Sequence, residues 1–254
     1  MRLRSAVKKA PWGAFLFCLL AGLAPALPAG EPVQVRKVLD GDTLILRDGR
    51  HLRLMGINTP ELGKDGRPDQ PGATAARKRL IGLTTGHDLL LVPGREARDR
   101  YGRLLGRLER PGHPDLRETL VAEGLAWVVA LPPNLDGLAA LQAAEARARS
   151  ARRGVWGNPK LAARDAGRMT VDDAGFRLVR GTVTRVGASR KYHYFDLGPA
   201  VSIMIGRDDW RGHFGGRPEA LVGRSLTARG WVLVIDGKPR LRLRHPAMWD
   251  IDGD

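Results

Sequence analysis

The pair Asp48-Gly49 sits between two short runs, Thr43–Arg47 and Arg50–Met55, that read as strands. Asp-Gly between apolar runs is a strong hairpin signal, because both residues tolerate the backbone angles of a tight turn. An antiparallel pair near the start of the fold is therefore the firmest constraint on this chain. With a two-residue loop, Leu44 lies opposite Arg53, and a period of two places Asp42, Leu44 and Arg53 on one face. Asp42 and Arg53 are then diagonal neighbours, close enough to share a phosphate and its metal.

The rest of the first half extends this start. Val33, Val35 and Val38 lead into the hairpin, Pro71–Leu83 reads as a helix, and Asp88–Val92 and Arg103–Glu109 read as strands around an Asp99–Gly102 turn. Leu116–Ala122 is helical, Leu125–Leu131 is strand-like, and Gly137–Arg153 is an Ala-rich helix. Five or six strands with three helices predict a mainly β, α+β domain over 32–160: a small barrel with helices outside it. Residues 161–172 are polar and lack an apolar period, so they read as a linker. From 173 to 254, short runs at Phe176–Val186, Tyr192–Leu197, Val201–Ile205, Ser225–Ile235 and Leu241–Arg244 predict a second small OB-like β-barrel, with a short helix at Pro218–Val222.

Composition narrows the partners. A formal charge of +15 over 254 residues favours a polyanion, either nucleic acid or an anionic surface. Arg2, Arg4, Lys8 and Lys9 precede an apolar run from Ala14 to Leu23, and Ala24-Pro25-Ala26 offers small residues for cleavage. Residues 1–26 thus read as a signal peptide, so the expectation is an exported protein, periplasmic or secreted, with no stable membrane anchor after processing. Such cleavage removes Cys18, the single cysteine, and with it any disulfide or thiolate metal site. The histidines show no paired metal spacing, which disfavours a zinc hydrolase.

Chemistry concentrates in the first half. Asp40-Gly41-Asp42, Arg53, Asn58-Thr59-Pro60-Glu61 and Asp99–Arg103 place carboxylates, arginines and a further glutamate in about 65 residues. Taken alone, each has a plain structural explanation: a turn, an outward arginine, a capped helix start, a charged turn. Together they suit metal-assisted cleavage of a phosphodiester. Glu145 reads as a salt-bridge partner, Trp127 and Trp156 as core, and His51 as a hairpin residue.

Residues 32–160 resemble the staphylococcal-nuclease-like (thermonuclease) family. The resemblance rests on Leu39–Thr43, Arg53–Glu61, Asp99–Arg103, Glu123–Trp127 and Gly154-Val155-Trp156. It implies an OB-type barrel and a Ca²⁺-dependent nuclease acting on DNA, RNA or both. It implies that Asp42, Asn58 and the Thr59 carbonyl hold Ca²⁺, with Asp40 behind them. Glu61 would activate water, Arg53 and Arg103 would clamp the phosphate, and Tyr101 and Arg100 would sit beside the nucleotide. Two departures stand out. Asn58 occupies the place of a usual aspartate ligand, and Ala130 and Pro132 replace two pocket tyrosines. A non-catalytic nucleic-acid binder therefore stays open, as does a structural barrel. In the second half, Arg190, Lys191, Tyr192 and Tyr194 combine charge with aromatic rings, which suits stacking of single strands as well as it suits core filling.

Overall fold

A computed structural model describes residues 30–63 and 66–253. The expected signal segment lies outside the described residues. Among them, no helix is long and apolar enough to cross a membrane.

The first sheet contains β1 (Glu31–Val33), β2 (Val35–Val38), β3 (Thr43–Leu46), β4 (His51–Leu54), β6 (Leu89–Arg98) and β7 (Leu104–Glu109), in the order β1-β6-β7-β4-β3-β2. All neighbours are antiparallel except β4 and β7. Only Gln34 separates β1 from β2, yet they lie at opposite ends of this order. The sheet must therefore curl until its two edges are successive pieces of one chain, as in an OB-type barrel. Inside it, Leu44, Leu46, Leu52, Leu54 and Leu108 are almost wholly buried. A short pair, β5 (Ile57–Asn58) with β8 (Trp127–Val128), lies beside it.

The hairpin forms, but its register differs from the expected one. Thr43, not Leu44, lies opposite Arg53, because Arg47, Asp48 and Gly49 all belong to the loop. Leu46 N–H donates to Arg50 O, and Gly49 takes a φ of 90°. The extra loop residue shifts the pairing by one and puts Leu44, Leu52 and Leu54 in the core.

Three helices cover the barrel: α1 (Ala73–Thr84), α2 (Leu116–Ala122) and α3 (Leu138–Ser150). Asp115 caps α2, accepting from the Arg117 amide at 2.8 Å. Arg117 is itself buried and donates to the Met55 and Asp136 carbonyls. The α3 face carrying Leu141, Ala144, Glu145 and Ala148 is buried at helical spacing.

The second sheet comprises β9 (Arg164–Asp165), β10 (Gly175–Thr182), β11 (Arg185–Ala188), β12 (Tyr192–Asp196), β13 (Ser202–Gly206), β14 (Ser225–Ile235), β15 (Lys238–Leu243) and β16 (Trp249–Ile251). Its path is β11-β12-β13-β15-β14-β10-β9, and β16 pairs with β14. Again two nearly continuous strands, β10 and β11, end up far apart in the order. Between β11 and β10 one parallel pair, β13 with β15, again interrupts the antiparallel neighbours, and the added β9 is also parallel, to β10. From β11 to β10 the path matches the first sheet step for step.

The segment 161–172 differs from a loose linker. It holds β9 and short turns, and it buries Ala166 and Met169 in the second core. That core also takes Trp127, Val129, Ala130 and Val155 from the first half. An ion pair seals the junction: Arg229 Nη2 lies 2.7 Å from Glu145 Oε2. Arg229 donates to the Val128 and Ala247 carbonyls, and Glu145 accepts from the Val128 amide. Burial pushes the Glu145 carboxyl up, while Arg229 pulls it down. The salt-bridge reading of Glu145 holds. The expected helix at Pro218–Val222 is a 3-10 turn, Pro218–Leu221, and a helical stretch at Arg207–Phe214 had no sequence signal.

Candidate active site

Asp42 stands at the bend before β3 and is 3% exposed. Its Oδ2 accepts from the Thr59 amide at 2.8 Å and the Thr59 hydroxyl at 3.1 Å. Arg53 Nη1 lies 2.6 Å from the same oxygen, and the Thr43 hydroxyl donates to Oδ1. The Asp42 amide donates in turn to Asp40 Oδ1 at 3.0 Å. Burial pushes the Asp42 carboxyl up to about 7; Asp40 adds to this, and Arg53 opposes it.

Gly41 allows this bend to form. A Cβ there would come within 2.6 Å of the Ala76 Cβ and 2.7 Å of the Thr59 hydroxyl. The bend is pressed between α1 and the Thr59 loop, and Arg77 fixes α1 by donating to the Val38 carbonyl.

Asn58 belongs to β5 and is also buried. Its Oδ1 accepts from Arg53 Nη2 at 2.9 Å, and its Nδ2 donates to the Thr59 carbonyl at 3.2 Å. The Arg53 fork thus spans Asp42 and Asn58. Asp40, Asp42, Arg53, Asn58 and Thr59 form one bonded knot, despite the shifted hairpin register. Arg53 reaches Asp42 because Asp42 sits just beyond the strand end, where alternation no longer dictates its direction.

A second cluster lies on the turn between β6 and β7. Arg103 Nε lies 2.7 Å from Asp99 Oδ2, and the Tyr101 and Arg103 amides donate to Asp99 Oδ1. Arg103 and these amides hold the Asp99 carboxyl below its usual value against the effect of burial. Tyr101 is 69% exposed, with the Arg100 and Arg103 guanidinium carbons 4.8 and 5.6 Å from its ring centre. Arg53 pairs with Leu105 across β4 and β7. Arg103 stands on the turn just before β7, two residues ahead of Leu105.

Glu61 follows the knot on an exposed loop. Its amide donates to Gln70 Oε1 at 3.0 Å, and its carbonyl accepts from the Gln70 amide at 2.9 Å. Gln70 and Gly41 are the positioning residues that the sequence reading missed. Gln70 lies in a loop without periodicity, and Gly41 looked like ordinary turn chemistry.

The oxygens around Asp42 are of the hard type that suits Ca²⁺. Among the described residues no three His, Cys, Asp or Glu side chains cluster as a metal group. Any cation here would rely on Asp42 and Asp40 together with neutral oxygens of Asn58 and Thr59. A buried carboxylate whose ionisation is opposed by desolvation is a fitting place for such a charge. Ala130 and Pro132 are both buried and offer no ring to a nucleotide.

In the second half, Tyr192 and Tyr194 have ring centres 6.2 Å apart. Tyr194 lines a groove of about 460 Å³ with Arg185, Lys238 and Arg240, and the Arg240 guanidinium lies 5.7 Å from its ring. Arg190 and Lys191 sit on the adjoining β11–β12 connection, outside the groove lining. The sequence reading missed Arg185, on the neighbouring β11, and Lys238 and Arg240, which arrive from β15, distant in the chain.

Residues 51–158 match the family model described as staphylococcal nuclease homologue. A thermonuclease of Staphylococcus intermedius is 34% identical over 130 residues, covering 50% of this chain and 77% of that protein. A thermonuclease of Staphylococcus hyicus is 32% identical over 131 residues, again 50% and 77%. An uncharacterized endonuclease of Escherichia coli O157:H7 is 34% identical over 136 residues, 52% of this chain and 81% of that protein.

Proposed function

Because this chain belongs to the staphylococcal nuclease family and is a nuclease hydrolase, we propose that it is an exported, Ca²⁺-dependent enzyme that hydrolyses phosphodiesters in DNA, RNA or both. The observation that carries the reading is geometric. Arg53 on β4 contacts the buried Asp42, and Arg103 stands at the entry to the neighbouring β7. A phosphate between them would meet two guanidinium forks, which match its oxygens in a way that lysine cannot. As charge builds on those oxygens in the transition state, the same donors bind more tightly.

Glu61 is the group assigned to water. An ionised glutamate takes a proton as the water oxygen attacks phosphorus, and Gln70 fixes the backbone that carries it. Attack leaves a 5′-hydroxyl and a 3′-phosphate, as the resemblance implies. Asp42, Asn58 and the Thr59 carbonyl would hold the cation, with Asp40 behind. When bound there, a divalent cation supplies Lewis-acid polarisation of a phosphoryl oxygen. Tyr101 and Arg100, exposed beside Arg103, are placed to meet the nucleotide.

We read residues 32–160 as the nuclease domain and 173–254 as an OB-like accessory barrel, a reading supported by the matching strand path. Its groove, with Tyr194, Arg185, Lys238 and Arg240, and the nearby Arg190, Lys191 and Tyr192, would hold single-stranded nucleic acid by stacking and charge. The basic and then apolar amino-terminal run supports export.

A second reading, a non-catalytic nucleic-acid binder, draws on Asn58, whose amide already occupies the Thr59 carbonyl. One assay separates them: incubate single- and double-stranded DNA and RNA with the protein in millimolar Ca²⁺ or in chelator. Ca²⁺-dependent fragments support the enzyme. Retarded but intact strands in every condition would favour the binder.

A further inference from the structure

The two halves enclose a cleft of about 180 Å³ that the proposed mechanism does not use. Trp127 and Phe176 contribute a tilted ring pair, with centres 5.3 Å apart. Lys160, Arg164 and Arg177 line it, with Gln70 on the opposite side of the junction; no carboxylate is among the lining residues. Arg164 shares Asp173 at 3.2 Å, and Arg177 Nη1 donates to the Phe176 carbonyl at 2.8 Å.

Two observations point to an anion. Trp127 Nε1 and Arg177 Nε are buried, and neither has a hydrogen-bond partner among the described residues. Buried donors without acceptors are costly and uncommon in folded proteins. Arg177 is also crowded by Arg164; burial first, and then that neighbour, hold its guanidinium below its ordinary value. An acceptor carrying negative charge would satisfy the donors and screen the cations.

The cleft is tied to the active site by two hydrogen-bonded links. Trp127 is the direct partner of Asn58 in the β5–β8 pair. Gln70 holds both the amide and the carbonyl of Glu61. We infer that this cleft is a phosphate subsite, taking a backbone phosphodiester of the bound strand near the one being cut. The inference rests on the nuclease reading for its direction, since a strand held at Glu61 has to leave the site along some path.

The test uses the full-length Glu61→Gln protein, which would bind without cutting, and adds Lys160→Ala with Arg164→Ala. Both of those side chains are exposed, and a thermal melt checks folding. Binding of a labelled dinucleotide and of a 12-nucleotide single strand is followed by anisotropy across a salt series. Each cation that neutralises a phosphate on a single strand adds about 0.7 to the salt slope, or roughly fivefold in affinity at 0.1 M salt. The double variant should therefore lose roughly twentyfold for the 12-mer, its slope should drop by about 1.4, and the loss for the dinucleotide should be smaller. Unchanged affinity and slope would overturn the inference. So would equal losses at both lengths, or displacement of the 12-mer by inorganic phosphate at matching concentration, which would mean a free-anion site. If the unmodified protein cuts nothing, the catalytic reading fails, while this binding comparison still decides the cleft.

Discussion

In the first sheet the connection from β2 to β3 carries Asp40, Gly41 and Asp42. In the second, the matching connection from β11 to β12 carries Ser189, Arg190 and Lys191. The turn from β6 to β7 holds Asp99–Arg103 in the first, and the turn from β14 to β15 holds Asp236-Gly237 in the second. The strand path is shared, yet only one copy gathers a buried carboxylate, an arginine bonded to it, a second arginine at the entry to the neighbouring strand and a glutamate held through its backbone. The other presents tyrosines and cations around an open groove. A shared strand path supplies a face and two loops; the residues on those loops decide what chemistry the face can offer.

That contrast can be broken most sharply at Glu61. Glu61→Gln should cut the cleavage rate by about 10² to 10⁴-fold while leaving strand binding in place. No residue of the second sheet should show such a loss when replaced, and a Tyr194→Ala variant as slow as Glu61→Gln would erase the division of labour. The next largest effect lies at the junction. Arg229→Met leaves Glu145 buried without its partner and should cost about 3–5 kcal/mol in denaturant unfolding. Replacing both partners with apolar residues should recover most of this, and a single variant as stable as the parent would show that the halves are only loosely joined.

Tyr194→Ala sharpens the comparison from the other side. It should weaken single-strand affinity by about 1–3 kcal/mol, measured by titration with the Glu61→Gln protein. Cleavage of saturating substrate should stay near the parent rate. The smallest expected shift concerns Asn58→Asp, which restores a negative oxygen beside Asp42. It should lower the Ca²⁺ needed for half-maximal cleavage; a midpoint that does not move would remove Asn58 from the cation site.

Much of the first half was legible because its chemistry is local. Asp40–Asp42, Arg53 and Asn58–Glu61 lie within a few turns of chain, and a single hairpin brings them together. The register was read one residue off, since Asp-Gly does not reveal that Arg47 joins the loop. The bonded knot survived the error because Asp42 lies outside the strand. Gln70 escaped notice because it holds the backbone of Glu61, through its side-chain Oε1 and its own amide, and such a contact leaves no residue pattern at the glutamate. In the second half the tyrosines were visible in one strand. Of their cationic neighbours, Arg185 comes from β11, and Lys238 and Arg240 come from β15, so only the folded sheet unites them. The Arg229–Glu145 pair spans both halves and has no local signal either.

The central claim is that water, activated at Glu61, attacks a phosphorus clamped by Arg53 and Arg103. Cleavage of DNA in ¹⁸O-labelled water with Ca²⁺ tests it most directly, because DNA lacks a 2′-hydroxyl that could attack instead. The account predicts one labelled oxygen in the new 3′-phosphate and none in the 5′-hydroxyl. Label in the 5′-hydroxyl, or in neither product end, would contradict it.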